Sequence, residues 1–376
     1  MPVERESFLR ELAGQRQWWS RRSPVNAGIV ERLEADLSSG SPIWFRRLQE
    51  AYEDRSFAND YEASALLIVS LHHRRLSGGG NVLVDPAGWL NGAPPEFWAR
   101  LRHAKLQAND PERSVGWLLV GCAALMPQGL PFHLVDMGTS AGLTLVGDYL
   151  PRDWSLKRPD GSACGEPPRW RDSPYPVLSR IGLDDEPRLL SDPRDRLWLK
   201  ACIGPDEDKR HAPFDAAAEL FLRLEKSPGG PRLERCAYAA MPEFIRSRFK
   251  PHAEEGLLVY NSQATDFLAD REYRSLEKGL ARVLKPWGDR GFWAELELPR
   301  DRTSKLHQLR VHRWTEGGFE SRVLAALTER PGEIVIEEGW GFVRPLEPRR
   351  APRVTIEEPP KRMEPGIYKF ENPWIR

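Results

Sequence analysis

One stretch constrains this chain more than any other: Phe132-His-Leu-Val-Asp-Met-Gly-Thr-Ser-Ala-Gly-Leu-Thr-Leu145. An apolar run ends in an acid, Asp136. Gly138 and Gly142 follow, and apolar residues then return at helical spacing with Leu143, Leu145 and Val146. Strand, glycine turn, helix is the order of a nucleotide-binding βα unit. The first glycine permits a tight turn with positive φ, and the second lets a backbone or ligand approach where a Cβ would block it. A helix starting there points free N–H groups at the turn. Asp136, at the end of a buried strand, needs a hydrogen-bonding partner.

Three readings of the turn compete. The dinucleotide fingerprint requires G-x-G-x-x-G, and the spacing here is G-x-x-x-G. The nucleophile elbow, G-x-S-x-G, is met by Gly138-Thr-Ser-Ala-Gly142 and would make Ser140 a nucleophile, but it leaves Asp136 idle. The third, acid-x-Gly-x-x-x-Gly, is the turn of S-adenosylmethionine sites and uses Asp136 with both glycines.

The surroundings fix the class. The 376 residues suffice for two domains. With 55 basic against 55 acidic residues the net charge is zero, which argues against a protein built to grip nucleic acid. The four cysteines form no C-x-x-C pair, so neither a metal site nor a disulfide framework is implied. Met1 to Glu6 lacks the apolar core of a signal peptide, and the longest apolar run, Trp117 to Met126, is half a membrane span. A soluble cytoplasmic protein without a membrane partner is expected.

Residues 1–128 read as a helical cap or dimerisation layer, with helices at Phe8–Leu12, Ile29–Leu37 and Tyr61–Leu76. Asp110-Pro111 announces a further helix through Leu125. Residues 129–346 alternate strand and helix, which implies an α/β core with a mostly parallel sheet, interrupted by an irregular insertion at 151–176. Residues 347–376 read as an extended tail. Further strands are expected at Val177–Leu183, Arg232–Ala239, Gly256–Gln263 and Phe292–Leu298, with Leu309–Trp314 and Glu333–Arg344 closing antiparallel. Helices are expected at Pro213–Leu224 and Tyr273–Gly288. Asp184, at the end of the second strand, stands where such folds hold ribose hydroxyls, although it lies much further from the glycines than the roughly 20 residues expected. Asn261, Ser262 and Gln263 end the fourth strand, where ligands sit or turns are capped. Glu295 and Glu297 share one face of the next strand and suit acid–base work, but an exposed sheet edge is the plainer expectation.

With these units laid out, the chain resembles the class I S-adenosylmethionine-dependent methyltransferases in Val135-Asp-Met-Gly-Thr-Ser-Ala-Gly142, Gly182-Leu-Asp184 and Ala281-Arg-Val-Leu-Lys-Pro-Trp-Gly288. More narrowly, it resembles a bacterial family of no established activity with a Gly-x-Ser-Ala-Gly-Leu turn. Gln107-Ala-Asn-Asp-Pro-Glu-Arg113, Ile181-Gly-Leu-Asp-Asp-Glu-Pro187 and Ser191-Asp-Pro-Arg-Asp-Arg-Leu-Trp198 carry that likeness. The resemblance implies a Rossmann-like core with a closing antiparallel strand and a helical N-terminal domain. It implies S-adenosylmethionine as donor and S-adenosylhomocysteine as product. Asp136, Gly138, Thr139, Ser140 and Gly142 would surround the amino-acid part, Asp184 the ribose, and Cys236 and Ala237 the adenine. Asn261 would face the methyl group. The acid usual at the end of the third strand is replaced by Cys236, and the Asn/Asp-Pro-Pro-aromatic signature is missing. A small-molecule acceptor is therefore expected rather than a nucleic-acid base.

Asn109, Asp110 and Arg113 are candidates for a polar rim, Arg113 the most informative. The catalytic candidates are Asn261, Asp266 and His103, and the candidate bases are Asp266, His103 and His133. A serine hydrolase with Ser140, Asp266 and His307 or His312 is the alternative, and a non-catalytic binding protein is a third reading.

Overall fold

The computed structural model describes residues 3–57, 61–107, 110–151, 154–167, 169–301, 304, 306–327, 332–337 and 342–343. The chain divides into two compact units, Met1–Asp110 with Arg188–Leu222, and Pro111–Pro187 with Arg223–Arg376. The first boundary thus falls at Asp110 rather than at residue 128, and the helical unit gains a second segment from the middle of the chain. The expected tail, 347–376, and Asn109 lie outside the described residues.

The helical unit opens with Arg5–Trp19, Pro24–Ser39, Ile43–Ala51 and Glu62–Leu76. Ser23 caps the second helix by accepting from the Asn26 N–H at 3.1 Å, with Pro24 at the first helical position. Phe8, Leu12, Ile29, Leu33, Leu37, Trp44 and Leu66 meet in one core. Glu62–Leu76 is buried along nearly its whole length, including His72 and His73. The later segment contributes the helices Pro193–Ala201 and Asp208–Leu224. The latter starts before the expected Pro213, which lies inside it. Among the described residues no helix is long and apolar enough to cross a membrane.

Among the described residues the second unit is built on nine strands: β1 Phe132–Met137, β2 Ser155–Lys157, β3 Val177–Asp184, β4 Pro231–Arg235, β5 Gly256–Ser262, β6 Gly291–Glu297, β7 Gln308–Thr315, β8 Gly318–Leu327 and β9 Glu333–Ile336. They form a single sheet in the order β2-β9-β8-β7-β6-β5-β1-β3-β4. The run β4-β3-β1-β5-β6 is parallel throughout. β7, β8 and β9 are antiparallel to their predecessors, and β2 pairs parallel with β9. The unit is mixed α/β with a mostly parallel sheet, as expected, although β2 and β8 fall where no strand was expected. The third strand is also shorter than expected, so Cys236 and Ala237 lie just past its end.

Alternate residues of the strands face opposite ways. Val135, Met137, Ile181, Leu183, Val259 and Trp293 build a core with the helices Met241–Arg248 and Asp270–Leu284. On the other face Gly116, in the helix Val115–Val120, packs on the Tyr260 ring, where a Cβ would come within 2.7 Å. Residues Gly121–Leu125 continue that helix as a π-turn, and it begins in the 3-10 turn Pro111–Ser114 rather than as an α-helix.

The helix expected after Gly142 is a 3-10 helix, Leu143–Tyr149. Side chains take carbonyls that an α-helix would use. Trp117 Nε1 donates to the Thr144 carbonyl at 2.9 Å and Arg180 to the Leu145 carbonyl at 2.6 Å. Arg180 also pairs with Asp148, which anchors the far end of the segment.

Candidate functional site

The parallel strands bring their carboxyl ends into one row. Register pairs Met137 with Leu183 and Asn261, Asp184 with Arg235, and Ser262 with Leu296. The strand order reverses between β1 and β5, and the crevice beside such a reversal is where open α/β sheets take ligands.

The glycine turn is drawn tightly over β1. Gly138, Ser140 and Gly142 have φ of 69°, 54° and 73°. The Gly138 and Thr139 N–H groups both donate to the Leu183 carbonyl, at 2.7 and 3.2 Å. A Cβ on Gly138 would collide with the Tyr238 hydroxyl and the Ala264 methyl, so this position tolerates only glycine. Gly182 is bare for a similar reason, since a Cβ there would lie 2.5 Å from Thr139 Cγ2.

Asp136 finds its partners within the turn: Thr139 Oγ1 donates to it at 2.8 Å and Thr144 Oγ1 also donates. Burial nonetheless raises its pKa to about 6, against the lowering effect of the two hydroxyls and of Arg113. Asp184, expected at a ribose, pins the turn: Oδ2 accepts from the Ser140 N–H at 2.8 Å and Oδ1 from the Glu186 N–H at 2.9 Å. Burial raises its pKa as well. The Asp184 carbonyl accepts from the Cys236 N–H at 2.7 Å, tying the ends of β3 and β4 together. Cys236 is buried, and Ala237 is exposed.

Arg113 is buried and donates through Nη1 to the Ser262 carbonyl, Ser262 Oγ and Gln263 Oε1, each at 3.2 Å. The Tyr260 hydroxyl donates to the Arg113 carbonyl. The rim arginine is therefore built into the end of β5.

Glu295 and Glu297 overturn the exposed-edge expectation. β6 lies between β5 and β7, and the two carboxylates are 5 % and 6 % exposed. Glu295 accepts from the Tyr273 hydroxyl at 3.0 Å and meets His312 Nε2 at 3.0 Å. Glu297 Oε1 accepts three hydrogen bonds, from Asn261 Nδ2 at 2.7 Å and from the Ala264 and Thr265 N–H groups at 2.9 and 3.1 Å. Its other oxygen, Oε2, is buried with no hydrogen-bond partner among the described residues. Burial raises the Glu297 pKa to about 7. Asn261 is itself fixed by Trp293 Nε1, which donates to its Oδ1 at 2.7 Å.

Tyr238, which the sequence did not single out, occupies the centre of this row. It follows β4 on the short turn Tyr238–Ala240, with its hydroxyl over Gly138. Burial, then the charges of Glu297, Asp184 and Asp136, keep the phenol protonated well above its usual range.

The other candidates scatter. His133 lies at the amino end of β1, away from the turn, with Nδ1 on Ser179 Oγ at 2.8 Å and Nε2 on Glu255 at 3.2 Å. His103 is exposed at the end of a helix in the first unit. His312 is stacked on Trp293 with ring centres 4.0 Å apart. His307 Nε2 meets Gln263 Nε2 at 2.7 Å. Asp266 is half-buried in the turn Thr265–Phe267, and its charge acts on Glu297. Among the described residues no group of three or more His, Cys, Asp or Glu is arranged to hold a metal ion.

Comparison with protein families places residues 87–335 in a bacterial family described as "uncharacterized protein conserved in bacteria", DUF2332. The chain belongs to this family. No curated protein and no solved structure matches it. The DUF2332 region takes in β1 to β8 and the whole row of strand ends.

Proposed function

We propose that this chain is a methyltransferase that uses S-adenosylmethionine and acts on a small molecule, on a Rossmann-like methyltransferase core. The observation that carries the reading is the row of carboxylates, Asp136, Asp184 and Glu297, at the tips of β1, β3 and β6 around a bare Gly138. Such a row repels a pyrophosphate and suits a ligand with cationic and hydroxyl groups. S-adenosylmethionine has both, a sulfonium and an ammonium beside ribose hydroxyls. The run β4-β3-β1-β5-β6 with antiparallel β7 favours the same reading, whereas the β7–β8–β9 meander is a departure from it.

The residues present fit the donor in part. Glu297 Oε2 is an orphaned buried acceptor and Asp136 is a carboxylate whose ionised form a cation would favour. Asp184 keeps acceptor capacity beyond its two backbone bonds. Tyr238 stands over Gly138 and would have to turn aside. When bound, the donor supplies an electrophilic methyl group. The chain's own work is to align the acceptor and exclude water. Arg113, Ser262 and Gln263 hold the end of β5 in place for that alignment.

Calorimetry on the full chain tests the reading: S-adenosylmethionine and S-adenosylhomocysteine should each bind with micromolar affinity. A folded protein that gives no heat with either removes it and leaves a non-catalytic role or a hydrolase.

The hydrolase reading has one observation in its favour, the positive φ of Ser140, as at a strained nucleophile elbow. Ser140→Ala separates the two. A hydrolase loses essentially all activity, while a donor site that uses the backbone there keeps its affinity.

A further inference from the structure

We infer that Glu297 is the proton acceptor of this site, and that the molecule methylated carries a neutral hydroxyl or amine N–H rather than a preformed anion. The inference rests on the methyl-transfer reading above.

The geometry divides the carboxylate into two parts with different tasks. Oε1 is held by three donors, one side chain and two backbone N–H groups, and the side chain among them is locked by Trp293. That oxygen cannot move without breaking the turn after β5. Oε2 is left without a partner in the interior, among the described residues. A buried acceptor in that state costs stability and calls for an explanation, and a proton delivered to it from a bound molecule supplies one. Its position gives the use. Glu297 ends β6, next to the end of β5, and its Oε1 binds the N–H of Ala264, whose methyl group borders Gly138. Tyr238, over Gly138, feels the charge of Glu297 more than that of any other group. Oε2 is thus the free oxygen of the carboxylate nearest in charge to Tyr238, the side chain a ligand at Gly138 would displace. Burial holds this carboxyl near neutrality, where a general base works best. Glu295, its neighbour on the strand, is occupied by Tyr273 and His312 and has no such opening.

The step balances. The acceptor's lone pair forms the new bond to the methyl carbon, and the electrons of the carbon–sulfur bond leave with sulfur. The O–H or N–H proton passes to Glu297 Oε2. One positive and one negative charge are both extinguished. An anionic acceptor would bring a charge that the carboxylate row repels and would need no base.

The test requires no acceptor. Reacting atoms stand about 3 Å apart and a base lies one hydrogen bond further, so the sulfonium and Glu297 are close enough to sense each other. In the wild-type chain, calorimetric affinity for S-adenosylmethionine should rise about three- to tenfold between roughly pH 6 and pH 8 as Glu297 ionises. The neutral thioether S-adenosylhomocysteine should show no such rise. Glu297→Gln should bind both ligands and abolish the difference. If the two ligands share one pH dependence in the wild type, Glu297 is not beside the reacting sulfur and the inference fails. If the difference survives in Glu297→Gln, another group such as Asp136 carries it, and the inference fails while methyl transfer stands. Should folded wild-type protein bind neither ligand, both fall. A shared pH dependence in the wild type overturns the inference even if the variant does not fold.

Discussion

Arg180 and Asp148 meet in the interior as a two-pronged ion pair, Nη1 to Oδ1 and Nη2 to Oδ2, each at 2.7 Å. Their side chains are 4 % and 0 % exposed. Asp148 also accepts from the Tyr175 N–H at 2.9 Å, so the carboxylate joins β3, the 3-10 helix and the loop before β3. Removing one partner strands the other charge. Arg180→Met should cost about 3–5 kcal/mol, read as a lower urea midpoint at constant slope. Hydrogen exchange should quicken first at Leu143–Tyr149, where Arg180 holds a carbonyl. An unchanged midpoint would show that the pair contributes nothing net.

Gly138 and Gly161 share a positive φ, 69° and 81°, but differ in surroundings. Gly161 faces open space, whereas Gly138 faces Tyr238 and Ala264. Gly161→Ala should cost only the left-handed strain, about 1 kcal/mol. Gly138→Ala adds a collision and should cost at least about 2 kcal/mol, as measured by thermal unfolding. Equal costs would mean that Tyr238 yields freely.

Asp184→Ala leaves the Ser140 and Glu186 N–H groups without their acceptor. A loss of about 1–3 kcal/mol is expected, with a weaker affinity for S-adenosylhomocysteine if the ribose also binds there. Denaturation and calorimetry on the same samples separate these effects. A stability loss with unaltered affinity confines Asp184 to holding the turn.

The two units should answer acid in opposite ways. Burial lowers the pKa of His72 and of His73 from 6.5 to about 4, and Arg100 adds to the effect at His73. The unfolded helical unit takes up protons that the folded one refuses, so its stability falls as pH drops from about 6.5 to 4. The loss is on the order of 3 kcal/mol for each histidine. Asp136 and Glu297 are raised to about 6 and about 7. Their contribution to the sheet unit is fully present below about pH 4 and is lost as pH rises through 6 and 7. Hydrogen exchange at two pH values, corrected for intrinsic rates, should show Glu62–Leu76 loosening in acid while β1 and β6 tighten. A uniform response along the chain would contradict the assignment.

What could be read from the residues alone depended on how local the cause was. β1 and its turn were legible because Leu134-Val135 and two glycines state their geometry within a dozen residues. β5 was legible as an unbroken apolar run, and the helix Glu62–Leu76 from its spacing. The 3-10 form of Leu143–Tyr149 was not, since the groups that capture its carbonyls, Trp117 and Arg180, are remote in sequence. The burial of Glu297 was hidden for a similar reason. Alternation in Phe292-Trp-Ala-Glu-Leu-Glu297 gives the face, but only the pairing of β7 beyond it makes the strand interior. β8 does carry a local signal. Glu316-Gly317 between paired Thr315 and Gly318 is a two-residue hairpin loop. Tyr238 had none, because nothing near it in sequence marks a tyrosine that will rest on a glycine a hundred residues earlier.

The helical unit takes its second segment, Arg188–Leu222, from between adjacent strands β3 and β4. No single truncation can therefore release either half intact. A fragment beginning after residue 128 discards Pro111–Gln128 from the sheet unit and leaves Arg188–Leu222 without the partners of its core. Anyone wishing to express the strand-rich half alone must excise that segment and rejoin Pro187 to Arg223 through a linker.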